Sequence, residues 1–278
     1  MAETSKIEWT DSTFNPVIGC QHVSPGCDHC YAESLSRLRG WADWGAHAER
    51  KRTSDRNWRE PYQWQAKASK FQFEHKHRQR VFCASLSDWL DNKWEPAWRT
   101  QLCRMIEETP DLDWLLLSKR PGNFFKLAPK RWQEACPRNV WFGCTTEDAT
   151  HYRMRWPIMS KVNARVRFIS YEPAVGPLGP LDLGSGLVPD WIICGGESGN
   201  GARVMQTAWA RGARDECRKH RSAYFLKQYG TYASNPFVLE RHLSRQEAEQ
   251  RDPPANGKGG ALLDGLLHRA FPKPREAA

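Results

Sequence analysis

The sequence predicts an α/β fold, arranged as a full or partial (β/α) barrel, with a doubly wound open sheet as the competing arrangement. Two observations support this prediction. Short, continuous apolar runs recur along the chain, as expected of strands buried on both faces, and segments with helical character separate several of them. Such alternation is typical of parallel βαβ units. The chain has 278 residues, of which 40% are hydrophobic, and this is enough for a substantial core.

Seven of the apolar runs are predicted strands. They are Phe14–Gly19, Val81–Leu86, Trp114–Ser118, Val140–Cys144, Val166–Tyr171, Trp191–Cys194 and Tyr224–Leu226. Helices are predicted at Ala32–Arg39, Glu95–Glu108 and Ala208–His220. A barrel built from such units gathers the carboxyl ends of its strands at one edge, where active sites form.

Two regions stand outside this alternation. The segment Arg50–Arg80 carries ten Lys or Arg residues against three acidic ones, and it dominates a predicted basic insertion, residues 45–80, after the first βα unit. The second region is the polar stretch from about residue 240. We therefore expect a barrel domain over residues 1–240, including the insertion, and a C-terminal extension over residues 241–278 that packs on the barrel or is partly disordered.

Composition narrows the classes of function. The net charge of +9 favours an anionic partner such as nucleic acid, although simple solubility also explains it. No apolar stretch approaches the length of a membrane span, and Met1–Asp11 lacks the apolar region of a signal peptide, so we expect a cytoplasmic protein that does not contact a membrane. In that compartment the nine cysteines are core residues, metal ligands or catalytic groups rather than disulfides.

The sharpest motif is a group of three cysteines. Cys20, Cys27 and Cys30 lie within eleven residues, directly after the first predicted strand. Pro25 and Gly26 bend this segment and so let the sulfur atoms converge. Thiolates are soft ligands that suit zinc or an iron–sulfur cluster. The three cysteines are therefore the candidate metal ligands.

The number of cysteines distinguishes between these metals. A closed structural zinc site needs four ligands. A [4Fe–4S] cluster held by three thiolates leaves one iron open, and that iron can chelate S-adenosylmethionine (SAM), which one electron then cleaves to a 5′-deoxyadenosyl radical. Two alternatives stay open, namely zinc with His22 or His29 as the fourth ligand, and three cysteines without any metal.

The cysteine segment resembles that of radical SAM enzymes, although the first gap is wider than in most of that superfamily. The gaps here are six and two residues, which is similar to a family of phage and bacterial proteins of unknown function noted for a three-cysteine motif. The similar stretches are Trp9–Pro16, Phe82–Asp88, Leu116–Pro121, Val140–Glu147, Phe168–Pro173, Trp191–Arg203 and Leu262–Gly265. The resemblance implies a partial (β/α) barrel of the radical SAM type, a [4Fe–4S] cluster, SAM and an external electron donor.

Polar residues at the ends of predicted strands are candidates for binding SAM. In radical SAM enzymes a Gly-Gly-Glu turn after the second strand contacts the SAM amino group, but the turn at 195–197 follows a later strand here. The candidates are Ser85, Ser87 and Asp88, which occupy that expected place, together with Glu172, Gly195, Gly196 and Glu197. Glu197 alternatively faces the substrate or closes an internal ion pair with Lys119 or Arg120. A tight turn explains the two glycines equally well.

The predicted substrate is a nucleic-acid base, with DNA favoured over RNA. Cations neutralise phosphate, aromatic rings stack on exposed bases, and a base must leave the stack before an enzyme can act on it. The candidate substrate-binding residues are Trp58, Trp64, Lys119, Arg120, Arg203 and Lys227. Repair of a DNA lesion such as a pyrimidine photoproduct is the leading hypothesis, because some radical SAM enzymes that resemble this chain in overall plan perform it.

Other functions stay open at this point. RNA base modification, radical chemistry on a peptide or small molecule, and a zinc-stabilised nucleic-acid-binding protein are the alternatives, and a partner protein is compatible with each. A radical enzyme also needs a residue that returns a hydrogen atom or an electron. Cys144, Cys194 and Tyr171 are candidates because they lie near predicted strand ends, although core packing is the common role of such cysteines.

Overall fold

The architecture is an α/β fold around one parallel sheet. A computed structural model describes residues 4–254 and 258–274. Its strands are β1 Ser12–Thr13, β2 Val17–Ile18, β3 Lys51–Arg52, β4 Arg80–Cys83, β5 Asp113–Ser118, β6 Val140–Thr145, β7 Val166–Tyr171, β8 Trp191–Gly195, β9 Ala223–Gln228, β10 Leu262–Leu263 and β11 Leu266–Leu267. Its helices are α1 Tyr31–Arg39, α2 Asp55–Ala66, α3 Ala68–His75, α4 Pro96–Glu108, α5 Phe124–Leu127, α6 Lys130–Glu134, α7 Ala149–Met159, α8 Thr207–His220, α9 Pro236–Leu239 and α10 Arg245–Arg251.

The seven-stranded sheet has the order β1-β4-β5-β6-β7-β8-β9, and every neighbouring pair is parallel. Strand order therefore follows chain order from one edge to the other. A doubly wound sheet would instead reverse direction at a switch point. The first and last strands, β1 and β9, do not pair with each other, so the barrel is open. The prediction of a partial (β/α) barrel is confirmed.

The two faces of the sheet carry separate cores. One face packs against the helices, and the other forms a smaller, aromatic core that includes Trp9, Phe82, Phe168 and Trp191. The Trp9 ring lies 4.6 Å from the ring of Phe82 in β4 and 6.3 Å from that of Trp191 in β8. In a flat sheet these strands would be about 19 Å apart. One indole can touch both only because the sheet curls around it.

The first predicted strand, Phe14–Gly19, is wrong as a member of the sheet. The sheet contains Ser12–Thr13 instead, and Val17–Ile18 pairs antiparallel with Lys51–Arg52 outside it. Pro16 has no N–H to donate to a neighbouring strand, which ends sheet pairing after β1. The residues are apolar because they are buried. The Phe14 ring packs edge-on against Trp58 and Trp114, each at 5.7 Å.

The basic insertion forms α2 and α3, which pack on the helical side of the sheet. Trp58 and Trp64 are 2% and 3% exposed and belong to the main core. This corrects the expectation that they stack on bases, because neither ring face is open to a ligand. The insertion's exposed cations include Arg56 and Lys70. Its apolar residues therefore hold the two helices to the barrel, while these cations face solvent and Arg50 is buried in an ion pair with Asp91.

The C-terminal segment pairs with the last strand of the sheet. Arg269 forms an antiparallel bridge with Phe225 of β9. The Phe271 ring then packs 5.2 Å from Trp191 and 5.5 Å from Phe225, which extends the aromatic core. Arg269 also donates a 2.8 Å hydrogen bond to Glu8. Within the described ranges, no helix is long and apolar enough to cross a membrane.

Candidate functional site

The cysteine loop, residues 20–30, lies at the carboxyl ends of the parallel strands. It begins after β2, makes a short 3-10 turn over Pro25–Cys27, and ends where Cys30 caps the amino terminus of α1. All three thiols are free, with Cys27 buried and the other two half-buried. The charged residues that hold the loop come from the segments just after β4, β5, β6 and β8. Three anchors, each built around one carboxylate, fix three parts of the loop.

The first anchor is the Asp88–Arg120 pair beside Cys20. Arg120 Nη1 lies 2.7 Å from Asp88 Oδ2, and its two terminal nitrogens lie 3.7 and 3.8 Å from Cys20 Sγ. Asp88 also accepts hydrogen bonds from Ser118 Oγ at 2.7 Å and from the Lys119 N–H at 2.9 Å. Burial and the charge of Asp88 raise the pKa of the Cys20 thiol to about 11, and Arg120 opposes this shift. Asp88 therefore positions Arg120 against the thiol.

The second anchor is Glu147, which follows β6 and has no exposed surface. Ser24 Oγ donates to its Oε1 at 2.5 Å, and Arg155 Nη1 donates to its Oε2 at 2.8 Å. A Cβ atom at Gly26 would lie 2.4 Å from Cγ of Glu147, so only glycine fits there. Sequence reasoning did not select Glu147 as a site residue. Its position as the acidic residue directly after a buried strand was the available signal.

The third anchor is the Glu197–Arg203 pair. Arg203 donates to the Glu197 carboxylate at 2.6 and 2.9 Å and reaches the loop at the Pro25 carbonyl, 2.7 Å away. His29 Nδ1 lies 2.8 Å from the same carboxylate. Burial raises the pKa of Glu197, but the hydrogen bonds from Arg203 and His29 outweigh it and lower the pKa to about 2. Glu197 thus has Arg203 as its ion-pair partner, which corrects the expectation of Lys119 or Arg120.

Glu172 and Lys227 meet on the concave side of the sheet. Lys227 Nζ lies 2.9 Å from Glu172 Oε1. A Cβ at Gly195 would lie 2.5 Å from that same oxygen, so the glycine lets the carboxylate cross β8 to reach β9. A Cβ at Gly196 would lie 2.1 Å from the carbonyl oxygen of Tyr229. Close packing thus accounts for both glycines, which were candidates for SAM contacts.

The segment after β4 holds the remaining candidates for SAM contacts. The Ser85 N–H donates to Asn15 Oδ1 at 2.7 Å, and the Tyr31 hydroxyl donates to the Ser85 carbonyl at 2.9 Å. Ser87 Oγ is buried and has no hydrogen-bond partner in the part of the chain that the structure describes.

Lys119, a candidate for substrate binding, lies near the cysteine loop. Burial raises the pKa of Cys30, and the charge of Lys119 opposes that shift.

The candidate hydrogen donors Cys144, Cys194 and Tyr171 are not at the site. All three have no exposed surface, and they belong to the core between the sheet and the helices. Burial raises the pKa of each of the two thiols to about 12. The Tyr171 hydroxyl donates to the Gly176 carbonyl. These side chains point away from the concave face, which corrects their assignment as donors.

The residues around the cysteine loop limit which metal centre the site can hold. Among residues 4–254 and 258–274, no group of three or more His, Cys, Asp or Glu side chains is arranged to hold a metal ion. His22 and His29 each contact a carboxylate through one ring nitrogen, Glu33 at 2.6 Å and Glu197 at 2.8 Å, and neither histidine belongs to such a group among the described residues. The chemistry of three free thiols in one anchored loop suits a cluster with three thiolate ligands.

Comparison with known proteins places the chain in a family. Among solved structures, it is similar to a mutant spore photoproduct lyase with bound AdoMet and a dinucleoside spore photoproduct, with a TM-score of 0.42 and 11% identity. That match covers 78% of this chain and 56% of the other, so the chain corresponds to little more than half of the lyase. No curated protein matches it. A family model described as "Protein of unknown function (DUF5131)" matches residues 4–272, and the chain therefore belongs to that family.

Proposed function

We propose that the protein is a radical SAM enzyme in which Cys20, Cys27 and Cys30 hold a [4Fe–4S] cluster. The observation that carries the proposal is the position of three free thiols in one loop, anchored at the carboxyl ends of a partial barrel. When bound, the cluster and SAM would supply a 5′-deoxyadenosyl radical. Active sites of barrels form at this edge of the sheet.

The protein's own residues would have distinct roles in this site. Arg120 puts a positive charge beside Cys20, which stabilises a thiolate there. The Ser87 hydroxyl, which is buried and lacks a partner among the described residues, is the candidate to hydrogen-bond SAM. The Glu172–Lys227 pair presents both charges on the concave face, where a zwitterionic or anionic ligand would meet them.

The substrate we propose is a nucleic-acid base, with a DNA lesion as the first compound to test. The net charge of +9 and the outward cations of the basic insertion support an anionic polymer as partner. The buried Trp58 and Trp64 take no part in this proposal. Lys119 and Lys227, near the cysteine loop and on the concave face, are the cations we assign to the substrate.

The cofactor test is anaerobic reconstitution with iron and sulfide, followed by reduction and addition of SAM. We expect about four irons per chain and release of 5′-deoxyadenosine. The variant with Cys20, Cys27 and Cys30 changed to Ala should lose both signals. Cys136→Ala, which removes a half-buried thiol outside the loop, is the matched control and should keep them. One tightly bound zinc per chain without iron uptake or deoxyadenosine would replace this proposal with a zinc-stabilised binding protein.

The substrate test uses the reconstituted enzyme with ultraviolet-irradiated DNA, undamaged DNA, RNA and short peptides. We expect SAM cleavage to rise most with irradiated DNA and binding to weaken steeply as salt concentration increases, because phosphate contacts release counterions. If only RNA stimulates SAM cleavage, the substrate is RNA rather than DNA. A substrate whose binding does not depend on salt would exclude a nucleic acid.

A further inference from the structure

A cavity lies at the end of the strands opposite the cysteine loop. It has a volume of about 720 Å³ and opens where the chain enters β7 and β9, at Arg167 and Ala223. These strands have six residues each, so the cavity is about 20 Å from their carboxyl ends. Its volume is in the range of small-molecule sites, about 300–1,000 Å³. Nothing in the proposed radical chemistry uses this end of the sheet.

The wall of the cavity is strongly basic. It includes Arg167, Arg218, Arg221 and Lys273, and Asp190 is the one carboxylate that lines it among the described residues. The side chains of three of these cations, Arg218, Arg221 and Lys273, are exposed and make no hydrogen bond or ion pair within residues 4–254 and 258–274. Three cations on one cavity, with no partner among the residues that the structure describes, are available to an anionic ligand.

The same cavity has an apolar surface beside these cations. Leu187 is 42% exposed and Phe271 is 37% exposed, and both line the cavity. The Phe271 ring lies between Trp191, 5.2 Å away, and the guanidinium of Arg80, 3.9 Å from the ring centroid, so a ligand in the cavity meets the edge of the ring. A fixed, partly open aromatic ring next to several cations suits a ligand with both a flat ring and a phosphate. An inorganic anion would gain nothing from the apolar surface.

We infer that this cavity binds a nucleotide, with its phosphate paired to Arg218, Arg221 and Lys273 and its base against Phe271. The ligand is either a free nucleotide or one nucleotide unit of a single strand. Both carry a base and a phosphate on one sugar. The inference is independent of the cysteine loop, since no residue of the cavity contacts that loop. It adds a second site to the protein, at the amino ends of the strands.

The test is binding to the metal-free protein, so that it does not depend on the cluster. A fluorescent single-stranded oligonucleotide of thymidine is the probe, and AMP, ATP and inorganic phosphate are competitors. We expect the double variant Arg218→Glu/Arg221→Glu to raise the dissociation constant at least about tenfold, because it removes charged hydrogen bonds to phosphate. The control is Lys126→Glu/Lys130→Glu, which makes the same charge change at exposed residues outside the cavity.

The outcomes separate the possibilities. Equal loss of binding in both double variants would mean that only net charge matters, and it would overturn the inference. Competition by inorganic phosphate as strong as by AMP would overturn the role of the base. Competition by AMP supports a free nucleotide as ligand, whereas competition by unlabelled oligonucleotide alone supports a strand.

Phe271→Leu should weaken the binding of AMP but leave the binding of inorganic phosphate unchanged. Unchanged binding of the oligonucleotide and of its competitors by the variant with Cys20, Cys27 and Cys30 changed to Ala keeps this test separate from the proposed enzyme.

Discussion

The charged side chains around the cysteine loop and those around the basic cavity differ in whether they have partners. At the carboxyl ends, Arg120, Arg155 and Arg203 each pair with a carboxylate that is less than a tenth exposed, and the pairs hold a loop in place. At the amino ends, Arg218 and Arg221 are exposed and pair with nothing within the described ranges. Buried pairs fix geometry but cost desolvation, whereas exposed cations contribute little to stability and stay available to a ligand.

The largest expected effect is at the second anchor of the cysteine loop. Glu147→Ala leaves Arg155, a largely buried cation, without its carboxylate, and we expect the free energy of unfolding to fall by about 3–5 kcal/mol. Urea denaturation measures this. Glu147→Gln keeps an acceptor for Ser24 and should lose less. A loss below about 1 kcal/mol for the alanine variant would contradict the description of this end as held by buried charge.

A smaller effect is expected at the turn after β8. Gly196→Ala places a Cβ 2.1 Å from a backbone oxygen that cannot rotate away, and we expect a loss of about 1–3 kcal/mol from the strain. Gly212→Ala in α8 is the matched control. Apart from its chain neighbours and the backbone of its own helix, no atom lies within 4 Å of the added Cβ, and alanine is the better helix former, so stability should rise by up to about 1 kcal/mol. Equal effects of the two substitutions would show that packing at the carboxyl ends is looser than described.

The third anchor, Glu197, should make the stability of the protein depend on pH. The folded-state pKa of Glu197 is about 2, below the ordinary value of 4.5. Its contribution is therefore fully present above about pH 4.5 and is lost as the pH falls toward about 2. We expect Glu197→Gln to be less stable than wild type at neutral pH, with the difference shrinking below about pH 4.5. A difference that stays constant between neutral pH and about pH 3 would argue against an ionised Glu197 as the anchor.

The smallest expected effect has the opposite sign and lies at the amino ends. Arg221 caps α8 with a left-handed backbone, φ 58°, where glycine is favoured. Arg221→Gly should therefore raise stability by about 0.5–1 kcal/mol while it weakens nucleotide binding. Thermal unfolding and the oligonucleotide assay measure the two changes on the same sample. If the variant is destabilised, the arginine contributes to the fold and the contrast between the two ends disappears.

The sequence predicts helices and strands better than it predicts contacts between residues that are distant in the chain. The predicted helices at Glu95–Glu108 and Ala208–His220 match α4 and α8 to within a residue or two, because their apolar periodicity is local. The pairing of Ser24 with Glu147 joins residues 123 positions apart, and no local pattern specifies it. Such contacts depend on which strands become neighbours.

Of two errors, one had a local signal that pointed the other way and one had none. Trp58, Pro61 and Trp64 recur at a spacing that places them on one face of α2, and all three are buried. That periodicity predicts core packing rather than base stacking. Cys144 and Cys194 lie on the helical face because side chains alternate along a strand. Sequence alone does not say which of the two faces becomes concave.

The contact between Glu8 and Arg269, which are 261 positions apart, bears on how the chain folds during synthesis. Trp9 and Phe271 both pack against Trp191 in the aromatic core. A ribosome-bound chain lacks the second of these rings until residue 271 has emerged, so the inner core stays incomplete until that point. Contacts of such high sequence separation slow folding and leave apolar surface open meanwhile. We expect a nascent chain of this protein to depend on chaperones up to that moment.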